Sequence, residues 1–147
     1  MYNKLRDNRG FTLIEIMIVV VILALLAALV GPKILGRSDD AKIADAKVQI
    51  RNIESALKLY KLDNGVYPTT DQGLQALVEK PTVGQIPKNY RAEGYLDSKS
   101  VPQDPWKDDF VFLSPGEHGD YDLCSYGADG AKGGEGISAD ICSWDIK

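Results

Sequence analysis

Two groups of side chains in this sequence could do chemistry, and both are carboxylates. The first is a single acid, Glu15, which directly precedes fifteen consecutive apolar residues, Ile16 to Val30. The second is a cluster of acids in the glycine-rich C-terminal third, where neighbouring carboxylates repel one another unless a cation binds between them. Only one histidine, His118, is present, so a histidine-rich metal site and a two-histidine mechanism are excluded.

The apolar run predicts a membrane-spanning helix. The twenty residues Phe11–Val30 carry one charge, that of Glu15, and about 20 apolar residues span a bilayer core of roughly 30 Å. Basic residues precede the run, so the C-terminal bulk is expected outside the cytoplasm. A cleaved signal peptide and a plain anchor are the alternatives. The run exceeds the apolar region of about 7–15 residues that is typical of a signal peptide, and a plain anchor has no need for Glu15.

The residues around Glu15 form a recognisable pattern. A basic leader ends at Gly10, the apolar run begins with Phe11, and Glu15 is the fifth residue counted from Phe11. This pattern resembles the processing site of type IV pilins and of their relatives, the pseudopilins of type II secretion. The resemblance implies that a membrane prepilin peptidase cuts after Gly10 and methylates the new terminal amine of Phe11.

The resemblance also divides the chain. It implies a cleaved leader over residues 1–10, a transmembrane and filament-core helix over 11–31, and a periplasmic domain over 32–147. A buried ammonium and a buried carboxylate each carry a large desolvation penalty unless they are paired. Glu15 of one subunit would therefore neutralise the Phe11 amine of its neighbour during assembly. The alternative is a carboxylate that reaches out to the membrane interface.

The secondary structure after the apolar run is predicted from Gly31-Pro32 and from the spacing of the apolar residues that follow. Proline removes a helical hydrogen bond, so Gly31-Pro32 favours a kink or a break. Apolar residues at alternating steps of three and four then predict an amphipathic helix over 38–63, with Asn64-Gly65 as its stop signal. These apolar residues are Ile43, Ala46, Ile50, Ile53, Leu57 and Tyr60.

The rest of the chain predicts short elements. Thr69 and Gln72 match a capping box, which predicts a short helix over 70–79, and residues 81–108 are predicted to be an ordered loop. Asp109–Leu113 and Asp120–Ser125 predict a β-hairpin. The predicted fold class is therefore α+β, with a long helix laid across a small antiparallel sheet.

A second resemblance covers this domain. The segments that carry it are YKLDNGVYPTTDQGLQALVEKP (60–81), GYL (94–96), DPW (104–106), SPG (114–116) and GADG (127–130). They look like the major pseudopilin of type II secretion. The resemblance implies a structural subunit of a periplasmic helical filament, anchored by a single span in the bacterial inner membrane. Its implied partners are further copies of itself, minor pseudopilins, an inner-membrane assembly platform and the prepilin peptidase. A type IV pilin for adhesion or motility is the alternative.

The acidic C-terminal loop allows two interpretations. Residues 104–147 carry ten acids against three lysines, and seven of the fourteen glycines lie from Gly116 onward. From the residues alone, the segment is either a solvated acidic loop or a Ca²⁺ site, because Ca²⁺ takes oxygen ligands. The family resemblance implies calcium, with Asp129 and Asp140 as side-chain ligands and carbonyl oxygens near Tyr126 and Ser138 as further ligands.

The two cysteines, Cys124 and Cys142, flank this loop. A location outside the cytoplasm permits a disulfide between them, and two buried free thiols are the alternative. The pseudopilin pattern does not require this pair, whereas many type IV pilins have a C-terminal disulfide, so the pair keeps the pilin alternative open.

Other functions have less support. The net charge of −4 has the wrong sign for a protein that binds nucleic acid through a basic field. A membrane-anchored enzyme would need a Ser/His/Asp or Cys/His arrangement, which the sequence does not suggest. His118 is predicted to be a solvated turn residue, and Trp106 and Trp144 are predicted to be packing residues.

Overall fold

The computed structural model describes residues 11–146, and for residues 29–37 it describes the backbone alone. The regular elements are a helix α1 (Leu13–Asn64) and three strands, β1 (Val111–Leu113), β2 (Asp122–Ser125) and β3 (Ile141–Cys142). Three short 3-10 helices cover Leu74–Leu77, Gly127–Asp129 and Gly136–Ser138. Contacts group the chain into two compact units, one up to Ser38 and one from Asp39 onward.

Helix α1 is longer than either predicted segment because it runs on through Gly31-Pro32. A proline removes one helical hydrogen bond, and the turns on either side can keep theirs. The sequence predicted a kink or a break at Gly31-Pro32, and the structure has one helix that contains these two residues. The predicted stop signal is confirmed: Gly65 has a φ of 82°, and its N–H donates to the Lys61 carbonyl at 2.7 Å.

The second unit has its own hydrophobic core, and α1 supplies one side of it. Ile50, Ile53 and Leu57 are fully buried, at the spacing that places them on one helix face. They belong to one cluster with Leu77 and Leu123. The predicted amphipathic helix is therefore confirmed, and its apolar face packs within the domain that contains the sheet.

The sheet has three antiparallel strands in the order β1-β2-β3. The predicted hairpin is confirmed with shorter strands, and Phe112 faces Leu123 across it. The sequence did not predict β3, because its pairing with β2 consists of two residue pairs, Cys124 with Cys142 and Ser125 with Ile141. Two residues are too few to produce a visible alternation of apolar and polar side chains.

The predicted helix over 70–79 is corrected to a single 3-10 turn, Leu74–Leu77. The capping box itself forms: Thr69 N–H donates to Gln72 Oε1 at 3.1 Å, and Gln72 N–H donates to Thr69 Oγ1 at 3.3 Å. Gly73 then adopts a φ of 60°, outside the helical region, so an α-helix cannot pass through it. Residues 81–108 form a loop without helix or strand, as predicted.

Two ion pairs hold loops to the C-terminal end of α1. Lys61 Nζ lies 2.9 Å from Asp120 Oδ2, and Arg91 donates to Asp63. Hydrogen bonding to Asp120 raises the pKa of Lys61, and hydrogen bonding from Arg91 lowers the pKa of Asp63. Both pairs are solvent-accessible, so they fix the position of the loops more than they stabilise the fold.

Candidate functional sites at the N-terminus and in the acidic loop

The start of α1 is capped by Thr12 and Glu15. Thr12 N–H donates to Glu15 Oε2 at 3.2 Å, and Glu15 N–H donates to Thr12 Oγ1 at 3.3 Å. This is a reciprocal capping box, which satisfies two backbone donors at the helix start. The Glu15 carboxylate is exposed and bonds the N–H of the residue that follows Phe11. Gly10, the residue before the predicted cut, lies outside the described residues.

The apolar side chains of the first half of α1 are open to solvent. From Phe11 to Leu26, every large apolar side chain is at least 49% exposed. Burying one such side chain contributes about 1.5–3 kcal/mol, so this surface favours association with lipid or with other protein. Among the described side chains, no helix is both long and apolar enough to cross a membrane. The transmembrane assignment of residues 11–31 stays a prediction.

The acidic loop joins β2 to β3, and glycines bring its two ends together. A Cβ added at Gly127 would lie 2.8 Å from the Ile137 carbonyl oxygen and 2.9 Å from that of Ala139. At Gly134 it would overlap the Ser138 carbonyl oxygen. The backbone can approach this closely only without side chains at these positions. Carbonyl oxygens of residues 137–139 therefore lie against the backbone of Gly127, at the start of the loop, and of Gly134, in its middle.

The predicted metal ligands lie in this loop and organise its backbone. Asp129 Oδ1 accepts a hydrogen bond from Ala131 N–H at 3.1 Å, and both Asp140 oxygens lie 3.0 Å from Gly133 N. Tyr126 directly precedes one 3-10 turn, and Ser138 ends the other. Two carboxylates and a set of carbonyl oxygens are hard oxygen donors, which is the donor set that suits Ca²⁺. The residues present therefore fit a calcium ion.

One cluster of three acidic or imidazole groups lies outside the loop. Within residues 11–146, Glu117, His118 and Asp122 place one potential ligand atom each within 4.8 Å of one another. His118 Nδ1 lies 3.0 Å from Asp122 Oδ2, and the backbone N–H groups of Glu117 and His118 also donate to that carboxylate. Hydrogen bonds within the cluster account for this arrangement without a metal ion.

The pKa of Asp122 reflects two opposed effects. Burial raises it, because the charged form is disfavoured away from water. The hydrogen bonds from His118 and from the two N–H groups outweigh burial, and the pKa is below its usual value. The His118 ring also stacks on Trp144 with centroids 3.8 Å apart. The prediction that His118 is a solvated turn residue is confirmed, because the residue lies in a bend and its side chain is 47% exposed. The sequence did not predict its contacts with Asp122 and Trp144.

Cys124 and Cys142 are joined in a disulfide. They face each other as partners in the pairing of β2 with β3, and both are buried. The bond closes the base of the loop that contains Asp129 and Asp140.

Sequence reasoning missed Asp104, a buried carboxylate that is 1% exposed. Its Oδ1 accepts hydrogen bonds from the N–H groups of Trp106 and Asp108, both at 3.0 Å. Its Oδ2 accepts a hydrogen bond from Ser125 Oγ. The same Ser125 Oγ accepts a hydrogen bond from Gly127 N–H at 3.3 Å. The DPWKD run held the signal, because an aspartate whose oxygen bonds N–H groups two and four residues ahead is a common turn motif.

Two family matches, one at the N-terminus and one over most of the remaining chain, define the class of the protein. Residues 5–31 match the family described as "Prokaryotic N-terminal methylation motif". With the long helix on a small antiparallel sheet, this motif defines a pilin-like subunit. Residues 33–144 match the family described as "Type II secretion system (T2SS), protein G", and the chain belongs to that family.

Relatives from several bacteria agree with this assignment. The chain is 53% identical to "Type II secretion system core protein G" of Vibrio cholerae over 99% of this chain and 97% of the relative. It is 54% identical to the protein of the same name from Pseudomonas aeruginosa, over 95% of this chain and 97% of the relative.

A solved structure supports the same fold. It is the crystal structure of the major pseudopilin from the type 2 secretion system of enterohaemorrhagic Escherichia coli, at 44% identity and a TM-score of 0.65, covering 75% of this chain and 92% of that one. These names favour the pseudopilin over the type IV pilin interpretation, and they describe a structural family rather than an enzyme family.

Proposed function

We propose that this chain is the major structural subunit of the periplasmic pseudopilus that drives protein export by type II secretion. The observation that carries the proposal is the combination of family membership with a helix whose apolar side chains are exposed from Phe11 to Leu26. A subunit with such a helix is stored in the membrane and then buries the same surface against other subunits. Its partners are further copies, minor pseudopilins and the inner-membrane assembly platform.

Processing comes before assembly in this proposal. A prepilin peptidase cuts after Gly10 and methylates Phe11, and the domain that follows the helix faces the periplasm. The N-terminal methylation motif matched over residues 5–31 supports this step. Mass analysis of the purified chain tests it. A mature chain that begins at methylated Phe11 is expected, and an uncut chain or a start near Gly31 would refute the step.

Glu15 has a specific role in assembly. After the cut, its carboxylate lies one residue from the new amine, because it already bonds the N–H of Thr12. The exposed carboxylate is thus available to the Phe11 amine of a neighbouring subunit. Pairing removes two desolvation penalties at once and fixes the register of the two helices.

A pair of variants separates pairing from capping. Glu15→Ala removes the charge and the bond from Thr12 N–H, whereas Thr12→Ala removes the hydroxyl that caps Glu15 N–H and keeps the carboxylate. If Glu15 acts by pairing, Glu15→Ala abolishes filaments seen by electron microscopy and Thr12→Ala keeps them. Equal loss of filaments in both variants would show that Glu15 acts only as a helix cap.

Calcium is the proposed ion of the acidic loop, held by the carboxylates of Asp129 and Asp140 with carbonyl oxygens near Tyr126 and Ser138. When bound, the ion neutralises the two carboxylates and cross-links the ends of the loop. The close approach of the carbonyls of residues 137–139 to Gly127 and Gly134 supports this site. Chelation tests it, because calcium stabilises the folded chain only when its free concentration exceeds the dissociation constant.

A further inference from the structure

We propose that the Cys124–Cys142 disulfide is the element that positions Asp140 for calcium, so that the calcium affinity of the loop depends on this bond. The inference rests on the calcium site proposed above. It assigns the cysteines a role as positioning residues, which act on the ion through Asp140 rather than by touching it.

The strand next to Asp140 is too short to hold it alone. Asp140 directly precedes β3, which has two residues, Ile141 and Cys142. Strands in globular proteins usually have about five or six residues. Of the two residue pairs that join β3 to β2, one is the pair of cysteines. Ser143 N–H also donates to the Leu123 carbonyl at 2.8 Å, and Ile141 lies in the hydrophobic core. The disulfide adds the covalent link to this short stretch of pairing.

The loop on the other side of Asp140 gives little further support. The Asp140 carboxylate accepts one N–H, from Gly133, a residue on an exposed stretch. Gly133, Gly134 and Gly136 all have positive φ, so this stretch has a large entropy to lose on ordering. The 3-10 turn Gly136–Ser138 has no side-chain cap.

The Asp129 end of the loop is held differently. Ser125 bonds Asp104, and Gly127 N–H donates to Ser125 Oγ at 3.3 Å. These contacts join the start of the loop to a buried carboxylate and do not involve the sulfur atoms. The two ligands are thus supported differently: buried hydrogen bonds support Asp129, whereas Asp140 is supported by the short β3 pairing and by the disulfide within it.

Without the disulfide, calcium binding itself must order the segment of the loop that contains Asp140, and the entropy lost in doing so lowers the calcium affinity. A disulfide that closes a loop of about 15 residues restricts the unfolded chain substantially. Because the disulfide already restricts this segment, calcium binding has less conformational entropy to remove, and the calcium affinity is higher. We expect calcium binding to weaken by at least about tenfold in the cysteine-free chain.

The experiment measures binding of Ca²⁺ itself to the full-length chain in detergent micelles, by equilibrium dialysis with radioactive calcium. The variants are C124A/C142A, Asp140→Asn and, as a matched control, Leu77→Ala. Leu77 is fully buried in the core, so its truncation destabilises the fold without touching the loop. Wild-type affinity in Leu77→Ala and weakened affinity in the cysteine-free variant support the proposal, because general destabilisation would move both.

Other outcomes separate this inference from the proposed calcium site. One outcome is that the oxidised chain binds Ca²⁺ through Asp140 and the calcium affinity of the cysteine-free chain lies within about threefold of its affinity, a difference of under 1 kcal/mol. This outcome overturns the inference about the disulfide and leaves the proposed calcium site intact. If the oxidised chain binds no Ca²⁺, or Asp140→Asn binds as tightly as the wild type, both are overturned.

Hydrogen exchange provides a second measurement that needs no cysteine-free variant. Mild reduction of the calcium-free wild type is expected to speed exchange at the Gly133 amide, the donor to Asp140, while the amides of α1 between Ala46 and Tyr60 stay protected. Unchanged exchange at Gly133 after confirmed reduction would overturn the proposal.

Discussion

Replacing Asp104 with alanine is predicted to cost about 3–4 kcal/mol of unfolding free energy. The carboxylate is 1% exposed and accepts hydrogen bonds from Trp106 N–H, Asp108 N–H and Ser125 Oγ. A hydrogen bond to a charged group contributes about 1.5–3 kcal/mol, and unpaired buried donors carry a penalty of their own. Three such bonds would sum to more than the predicted value, but water entering the vacated space can satisfy some of the donors.

Urea unfolding of the full-length chain in detergent micelles, followed by near-ultraviolet circular dichroism, measures this loss. Asp104→Asn is the informative partner variant, because the amide oxygen can still accept from both N–H groups, and it is expected to lose less than half as much. Asp97→Ala, at an exposed position, is the control and is expected to stay within about 0.5 kcal/mol of wild type. If the unfolding free energy of Asp104→Ala is within about 1 kcal/mol of that of the wild type, the interpretation of Asp104 as a buried carboxylate that stabilises the domain through these three hydrogen bonds is refuted.

Three further predictions concern the acidic loop, the Asp122 cluster and the link between sheet and helix. Calcium chelation is expected to lower the melting temperature of the wild type and to leave that of Asp129→Asn unchanged; equal shifts in both would remove Asp129 from the site. Asp122 has a lowered pKa, so the stability from its ionised form is present above the unfolded value of about 3.9 and is lost as the pH falls through the folded pKa. The stability difference between wild type and Asp122→Ala should therefore stay constant above about pH 5 and shrink below about pH 4. Urea titrations that show a constant difference across this range would contradict the prediction. Tyr121 donates to Glu54 at 3.0 Å, so Tyr121→Phe should cost about 1 kcal/mol in the same assay, and no cost would mean that this bond forms equally well with water.

Much of the fold could be predicted because its signals are long. The core face of α1 repeats over several turns from Ala46 to Tyr60, and the hairpin has apolar residues on both strands. The elements that could not be predicted are those in which tertiary contacts decide the outcome. β3 has two residues, and Gly73 ends the helical geometry that the capping box at Thr69 begins.

The candidate sites divide in the same way. The N-terminal motif that the sequence predicted is matched by the methylation-motif family over residues 5–31. Asp129 and Asp140 stay predicted ligands, which the family resemblance implied and which lie in the loop between β2 and β3. The sequence did not locate Asp104, because nothing in it shows that this carboxylate is buried beside Ser125, 21 residues away along the chain. It placed His118 correctly in an exposed turn, but it could not show the stacking of this ring on Trp144, which follows β3.

Deletion of this chain's gene in its source bacterium tests the central claim most directly, with secreted proteins and surface pili measured in the same cells. The account predicts that type II secretion is lost, that surface pili remain, and that the wild-type chain restores secretion whereas Glu15→Ala does not. Loss of surface pili with secretion intact would contradict the account and assign the chain to the type IV pilins instead.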